Sequence, residues 1–196
     1  MTEVIKLDWL SHHREKKGKY SSIFTLDYNP STKSIATGGL DGTICIWNVD
    51  QSMNLLGFTT MTRHEGSVMM LRWSTGGHLL ASVSDDRTVL IWQGDRMIHR
   101  LSVGHQADLI ALAWSPDNSL LVSASIDGLL CIYDCKNGFN VIKTIKGGAS
   151  GMLKGVSWDP LNMFLACQGD DLVIWRCKDW TIEQRVVESF KGGRGD

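Results

Sequence analysis

Net charge, paired cysteines and long apolar runs are all scarce in this 196-residue sequence, and each shortage removes a class of protein. Twenty basic residues against 21 acidic ones leave a formal charge of −1 with the histidines neutral. The strongly positive field with which nucleic-acid binders recruit phosphate is therefore lacking, and direct, sequence-specific recognition of nucleic acid is not expected. The five cysteines, Cys45, Cys131, Cys135, Cys167 and Cys177, are odd in number, with no Cys-x-x-Cys pair. Neither a disulfide framework nor a zinc site is indicated. Cys45 and Cys131 stand two residues before an aromatic, in Thr43-Ile-Cys-Ile-Trp47 and Leu129-Leu-Cys-Ile-Tyr133, where a small buried thiol simply packs. The first ten residues carry charges through their apolar part, and no segment reaches the length of a membrane-spanning helix. A soluble intracellular chain with reduced thiols and no membrane contact is expected. What remains is an ordinary globular mixture, 43% hydrophobic and 21% charged, long enough to hide about 70% of its extended surface.

Tryptophan is abundant, eight residues against three tyrosines, and it is periodic. One aromatic column reads Tyr28, Trp73, Trp114, Trp158, at intervals of 45, 41 and 44; a second reads Trp47, Trp92, Tyr133, Trp175, at intervals of 45, 41 and 42. Within a copy the two columns are 19 residues apart in the first three copies and 17 in the fourth, which implies a two-residue deletion between its central strands. Four copies of one unit follow from this spacing. The second copy shows the unit plainly: Ser67-Val-Met-Met-Leu-Arg-Trp73, then Leu79-Leu-Ala-Ser-Val-Ser84, a turn at Asp85-Asp-Arg87, then Thr88-Val-Leu-Ile-Trp92. The third copy repeats it and adds a more polar fourth run, Val141-Ile-Lys-Thr-Ile145. Short runs rich in β-branched and aromatic residues between tight turns are strands. The first run of each copy is apolar on nearly every residue, as for a strand covered on both faces, while the polar fourth run reads as an outer edge.

Four strands in each period of 40 to 45 residues, with an aromatic closing the third, predict an all-β protein, a WD-repeat β-propeller with four recognisable blades. The blades are expected over about 20–60, 61–102, 103–146 and 147–187, with 188–196 a tail or the start of a further blade.

A Ser, a His and an Asp recur at fixed places, His64, Ser82 and Asp86 in the second copy and His105, Ser123 and Asp127 in the third. Such a set resembles a hydrolase triad, yet it is duplicated blade by blade, and no Gly-x-Ser-x-Gly elbow exposes either serine. WD-repeat proteins suggest another use: Ser82 accepts from the donor-only Trp92 indole, His64 links to Ser82, and Asp86 orients His64. Tyr133 closes the third copy with a phenol in place of the indole. The first copy keeps Thr37, Asp41 and Trp47, and its loop histidine would be His12 or His13. The fourth has Gly147-Gly-Ala-Ser-Gly151 where a Gly-His pair would stand, so its network should be incomplete and its blade the softest.

Other motifs weigh less. The Gly147 to Gly151 stretch lacks the Lys-Ser/Thr ending of a phosphate loop. Asp85-Asp86 and Asp170-Asp171 suit tight turns better than paired-carboxylate catalysis. Arg14-Glu-Lys-Lys-Gly-Lys19 reads as a solvated loop rather than a nuclear import patch, and the terminal Arg194-Gly-Asp196 as a chance match to an adhesion tripeptide. Scattered His12, His13, His78 and His99 offer no converging catalytic or metal set, so neither an enzyme nor a cofactor is expected. Propellers commonly bind partners on the loops before the first strand and between the second and third, which nominates Glu65, Asp85, Arg87 and Asp108.

Two segments outside the generic pattern carry a family resemblance. Ser150-Gly-Met-Leu-Lys-Gly-Val-Ser-Trp-Asp-Pro160 and Trp175-Arg-Cys-Lys-Asp-Trp-Thr-Ile-Glu183 resemble the fourth blade of the HIRA family of histone chaperones, and Ile35-Ala-Thr-Gly-Gly39, Leu71-Arg-Trp-Ser74 and Ala113-Trp-Ser-Pro116 fall in the same order as in that family. The resemblance implies a seven-bladed ring, of which this chain would hold an incomplete part, with residues 1–10 similar to the ring-closing strand. It implies a non-catalytic nuclear scaffold for replication-independent chromatin assembly and transcriptional repression. The implied partners are a ubinuclein-type subunit and, through the complex, histones. Uncovered blade faces would also favour self-association. The related middle subunit of chromatin assembly factor one, which also carries a Trp-Asp-Pro strand, is the alternative, along with a generic adaptor propeller. Adaptors that recruit substrates to ubiquitin ligases often carry Trp-Asp-x-Arg after the third strand, and no copy here does.

Overall fold

The structure is a computed structural model, and it describes residues 21–52, 54–102, 104–148 and 151–187. The proposed ring-closing strand at 1–10 and the tail at 188–196 lie outside the described residues, as do His12 and His13. Sixteen strands are described. The first blade holds β1 (Ile23–Asn29), β2 (Ser34–Gly39), β3 (Thr43–Val49) and β4 (Leu55–Thr62). The second holds β5 (Val68–Trp73), β6 (Leu80–Ser84), β7 (Val89–Gln93) and β8 (Arg96–Leu101). The third holds β9 (Leu109–Trp114), β10 (Leu120–Ser125), β11 (Leu129–Asp134) and β12 (Asn140–Lys146). The fourth holds β13 (Gly155–Trp158), β14 (Phe164–Gln168), β15 (Asp171–Arg176) and β16 (Thr181–Val187). Each blade is a four-stranded antiparallel meander, its strands adjacent in chain order. No helix occurs among the described residues.

The blades stack in sequence. β1 and β2 pack on β5, β5 and β6 on β9, and β9 and β10 on β13. The protein is thus an arc of a WD propeller. Every residue of β6 is buried, and so are the first four of β7, because these central strands of the second blade have a neighbouring sheet on either side. The outer strand β16 is exposed throughout. One expectation needs correcting. The first strand of a copy is not always covered on both faces: Phe24, Leu26 and Tyr28 of β1 are exposed, Leu26 by 64%, because the second blade covers only the face holding Thr25, Asp27 and Asn29. In the fourth blade Ser157 of β13 is likewise exposed.

That covered face of β1 grips the second blade by a ladder with the strand period of two. Thr25 Oγ1 accepts from the Leu71 N–H at 3.2 Å, Asp27 Oδ2 from the Trp73 N–H at 2.8 Å, and Asn29 Nδ2 donates to the Gly77 carbonyl at 2.9 Å. The next seam is built differently: Trp114 Nε1 donates to the Arg72 carbonyl at 3.0 Å and Asn118 exchanges hydrogen bonds with Thr75 at 2.8 Å. Asp27→Ala strips a charged acceptor from a backbone donor inside the first seam. It should lower stability by about 2 kcal/mol, read as a drop in the urea midpoint.

Candidate functional site

The recurring polar set lies inside the blades, and the second blade shows how. Val83 pairs with Val89 at the start of the β6–β7 hairpin, which places Ser82 and Trp92 on one face, turned toward the first blade. The Trp92 Nε1–H donates to Ser82 Oγ at 3.0 Å, and Ser82 Oγ lies 2.8 Å from His64 Nε2. His64 Nδ1 lies 2.9 Å from Asp86 Oδ2. Because an indole can only donate, one direction of proton donation satisfies the whole chain: Trp92 to Ser82, Ser82 to His64 Nε2, His64 Nδ1–H to Asp86. Asp86 also accepts from the Glu65 N–H, the Thr88 N–H and the Thr88 hydroxyl, at 2.9, 2.9 and 2.7 Å. Burial pushes the Asp86 carboxyl upward, but the hydrogen bonds from His64, Thr88 and Glu65 outweigh it and hold the group well below the ordinary carboxylate range. Ser82 is 0% exposed. A nucleophile must reach its substrate, and this hydroxyl faces an indole and an imidazole within a sheet interface.

In the third blade Ser123 Oγ lies 2.7 Å from His105 Nε2 and 3.1 Å from the Tyr133 hydroxyl. His105 Nδ1 stands 3.5 Å from Asp127 Oδ2 and has no hydrogen-bond partner, so this set is looser than that of the second blade. Burial pushes the His105 imidazole below its usual value against the opposing pull of Asp127. Burial likewise raises the Tyr133 phenol far above its ordinary value. The first blade keeps the indole donor, with Trp47 Nε1 bonded to Thr37 Oγ1 at 2.8 Å.

The fourth blade contains a set that the regular spacing hid. Leu165 pairs with Trp175 and Cys167 with Val173, as Leu80 pairs with Trp92 and Ser82 with Leu90, so Cys167 holds the serine position. The two-residue deletion brings it eight residues from Trp175 instead of ten; counting two residues past the leucine, not ten before the tryptophan, would have found it. Its thiol donates to the Gly147 carbonyl at 2.8 Å, and burial pushes that thiol up. The Trp175 Nε1–H lies near the sulfur without reaching hydrogen-bond geometry and is left unsatisfied. Gly148 stands where the other blades carry His64 and His105, and a Cβ there would come within 2.7 Å of Asp171 Oδ1. Asp171, buried at the start of β15, pairs instead with Arg185 of β16. Cys167→Ser supplies the missing acceptor while keeping a donor for Gly147. It should raise stability by about 1 kcal/mol in thermal or urea unfolding.

The four residues nominated for partner binding sit on the loops at one end of the blades. Glu65 is exposed and reaches Arg100 at 3.5 Å. Asp85 is only half-exposed, and its Oδ1 accepts from the Ser67 N–H at 2.7 Å, tying the β6–β7 turn to the loop entering β5. Asp108 is half-buried, its carbonyl accepting from the Ile126 N–H at 3.1 Å. Arg87 is exposed and adopts φ 66°, the left-handed conformation that Gly42 and Gly128 take at the matching turns, with φ 73° and 81°. Holding a non-glycine residue there costs about 1 kcal/mol; its N–H donates to the Ser84 carbonyl at 3.1 Å, while among the described residues its side chain makes no hydrogen bond or ion pair. Among the described residues no group of three or more His, Cys, Asp or Glu side chains is placed to hold a metal ion.

Comparison with known proteins agrees with this architecture. The sequence profile of the WD domain, G-beta repeat, matches residues 10–48, 58–93 and 96–134, leaving the fourth blade, with its altered set, outside the match. Protein HIR1 of Mycosarcoma maydis is 34% identical over 220 aligned positions, covering 95% of this chain and 21% of that protein. Protein HIR1 of Cryptococcus neoformans and protein hir1 of Schizosaccharomyces pombe are each 32% identical over 96% of this chain, and the match covers 24% and 23% of those proteins. The chain thus spans between a fifth and a quarter of the length of these relatives.

Proposed function

The chain belongs to the WD-repeat family, and we propose that it serves as a protein-binding scaffold of the HIR1 type, acting through surfaces and without catalysis. Two features support this reading. The groups with acid–base or nucleophilic character, Ser82, His64 and Asp86 and their third-blade counterparts, are occupied in tying strands together. The likeness to HIR1 proteins extends into the fourth blade, beyond the generic repeat, and it is the observation that carries the finer reading. On that reading the chain works in the nucleus, within a histone chaperone complex that assembles chromatin outside replication and represses transcription. It holds a ubinuclein-type subunit and meets histones through the complex. Glu65, Asp85, Arg87 and Asp108 are its proposed contact residues, with Arg87 favoured for its unpaired charge and strained backbone. The experiment is affinity purification of the tagged chain from nuclear extract, followed by mass spectrometry. Recovery of a ubinuclein-like protein with histones supports the chromatin role; recovery of neither, from a chain shown to be folded, rejects it while leaving the scaffold reading to other partners.

A further inference from the structure

The last residue of the first strand is a tryptophan in the second, third and fourth blades: Trp73, Trp114 and Trp158. In the third and fourth blades a second aromatic covers it. Phe139 lies edge-on to Trp114, with ring centres 6.2 Å apart at 79°, and its other side meets His99 of the second blade at 4.9 Å. Trp180 meets Trp158 at 6.1 Å and 86°. Both covering residues have positive φ, 59° in each case, which is costly for an aromatic residue and is offset where the ring fills a hole.

The two plugs occupy one register position. Phe139 precedes Asn140, which pairs with Asp134, and Trp180 precedes Thr181, which pairs with Arg176. In the second blade the residue so placed is Asp95, preceding Arg96, which pairs with Gln93. There the β7–β8 turn is the bare pair Gly94-Asp95, too short to carry a ring back over the seam. Thr59 of the first blade pairs with Ile46 as His99 of the second pairs with Ile91, so the counterpart of the Phe139 seat is bounded by Thr59, Ile46 and Trp73. These residues, with His78, Gln93 and Asp95, line a cavity of about 490 Å³. Trp114 and Trp158 are buried, at 8% and 9% exposure, whereas Trp73 is only partly buried.

We propose that this seam between the first and second blades is a binding site for an aromatic side chain on an extended segment of a partner protein, seated where Phe139 and Trp180 sit in the other seams. The fold has already selected the ligand class twice from its own chain. The polar lining fits a peptide backbone around the ring: the Gln93 and Asn48 amides offer both donor and acceptor groups. Charge selects the flanks. Among the described residues of the lining Asp95 is the one carboxylate and no Lys or Arg stands with it, so a basic residue beside the aromatic is favoured. The site needs only the seam geometry and does not depend on the chromatin reading.

The test uses the full chain, with the Trp73 indole N–H assigned in a two-dimensional NMR spectrum by its loss in Trp73→Phe. The probe is the tripeptide amide N-acetyl-Arg-Trp-Arg; N-acetyl-Arg-Leu-Arg and N-acetyl-Glu-Trp-Glu serve as controls. Saturable movement of the Trp73 resonance, half-complete in the low-millimolar range expected of so small a ligand, is predicted for the first probe, with weaker response to both controls. Thr59→Arg, a substitution on an exposed strand, should abolish that movement, and Asp95→Lys, which reverses the charge beside the seat, should diminish it. No movement, equal movement with the leucine peptide, or movement unchanged in both variants would each overturn the proposal. So would contacts in the free chain between the Trp73 ring and an aromatic from residues 1–20, which would assign the cavity to the protein's own terminus.

Discussion

Trp92→Ala is expected to destabilise the protein by about 4 kcal/mol, a large fraction of the 5–15 kcal/mol that usually separates a folded domain from its unfolded chain. The indole is 1% exposed and sits in a cluster with Ile44 and Met61 of the first blade and Leu71, Leu80 and Leu90 of its own. Removing it leaves a void spanning the seam between two sheets, where rigid strands on both sides resist collapse. It also strands Ser82 Oγ, which is 0% exposed and would lose its donor. Trp92→Phe separates the two effects. It keeps most of the ring but removes the N–H, and should cost about 1.5 kcal/mol. Urea unfolding followed by circular dichroism measures both. A Trp92→Ala loss below about 1 kcal/mol would mean that the ring is not seated between the sheets.

Asp86→Ala carries the second-largest expected effect, about 3 kcal/mol, because it removes one member of a buried pair and leaves the other unsatisfied. The paired His64 and Asp86 side chains are 0% and 6% exposed. The same substitution alters the response to acid. Asp86 is held below the ordinary carboxylate range in the folded state, so its contribution is present above the unfolded value of about 4 and is lost as the pH falls below it. His105 is also depressed when folded, by burial, so the unfolded chain takes up its proton first and stability falls below a pH of about 6.5. Acidification should therefore weaken the protein in two steps. Asp86→Ala should shrink the lower step, with Asp127, also depressed, retaining its share, and should leave the upper step in place. Urea midpoints near neutrality, between the two ranges and below the carboxylate range would show this; an upper step that disappears in Asp86→Ala would assign it to the wrong group.

The blade pattern was legible because a β-hairpin fixes its own register. Aromatic columns at Trp73, Trp114 and Trp158 and at Trp92, Tyr133 and Trp175 are set by strand length and turn chemistry within about forty residues, so they repeat with the period of the unit. The His64, Ser82, Asp86 and Trp92 linkage was readable for the same reason, since all four residues belong to one blade and the loop that enters it. Cys167 escaped because a shortened hairpin moved it relative to Trp175 while leaving its partner across the sheet unchanged. Pairing is a property of the ladder, not of the residue count.

By itself the sequence determined the all-β class, the four blades and the polar linkages inside them, because each depends on contacts between segments close along the chain. The tertiary structure decided what happens between blades. Asp27 holding the Trp73 N–H, Phe139 wedged between His99 and Trp114, and the cavity beside Trp73 join residues whose spacing obeys no period. Such contacts are set by the way twisted sheets stack and by whether a turn is long enough to carry a side chain across the seam, which a difference of a few residues decides.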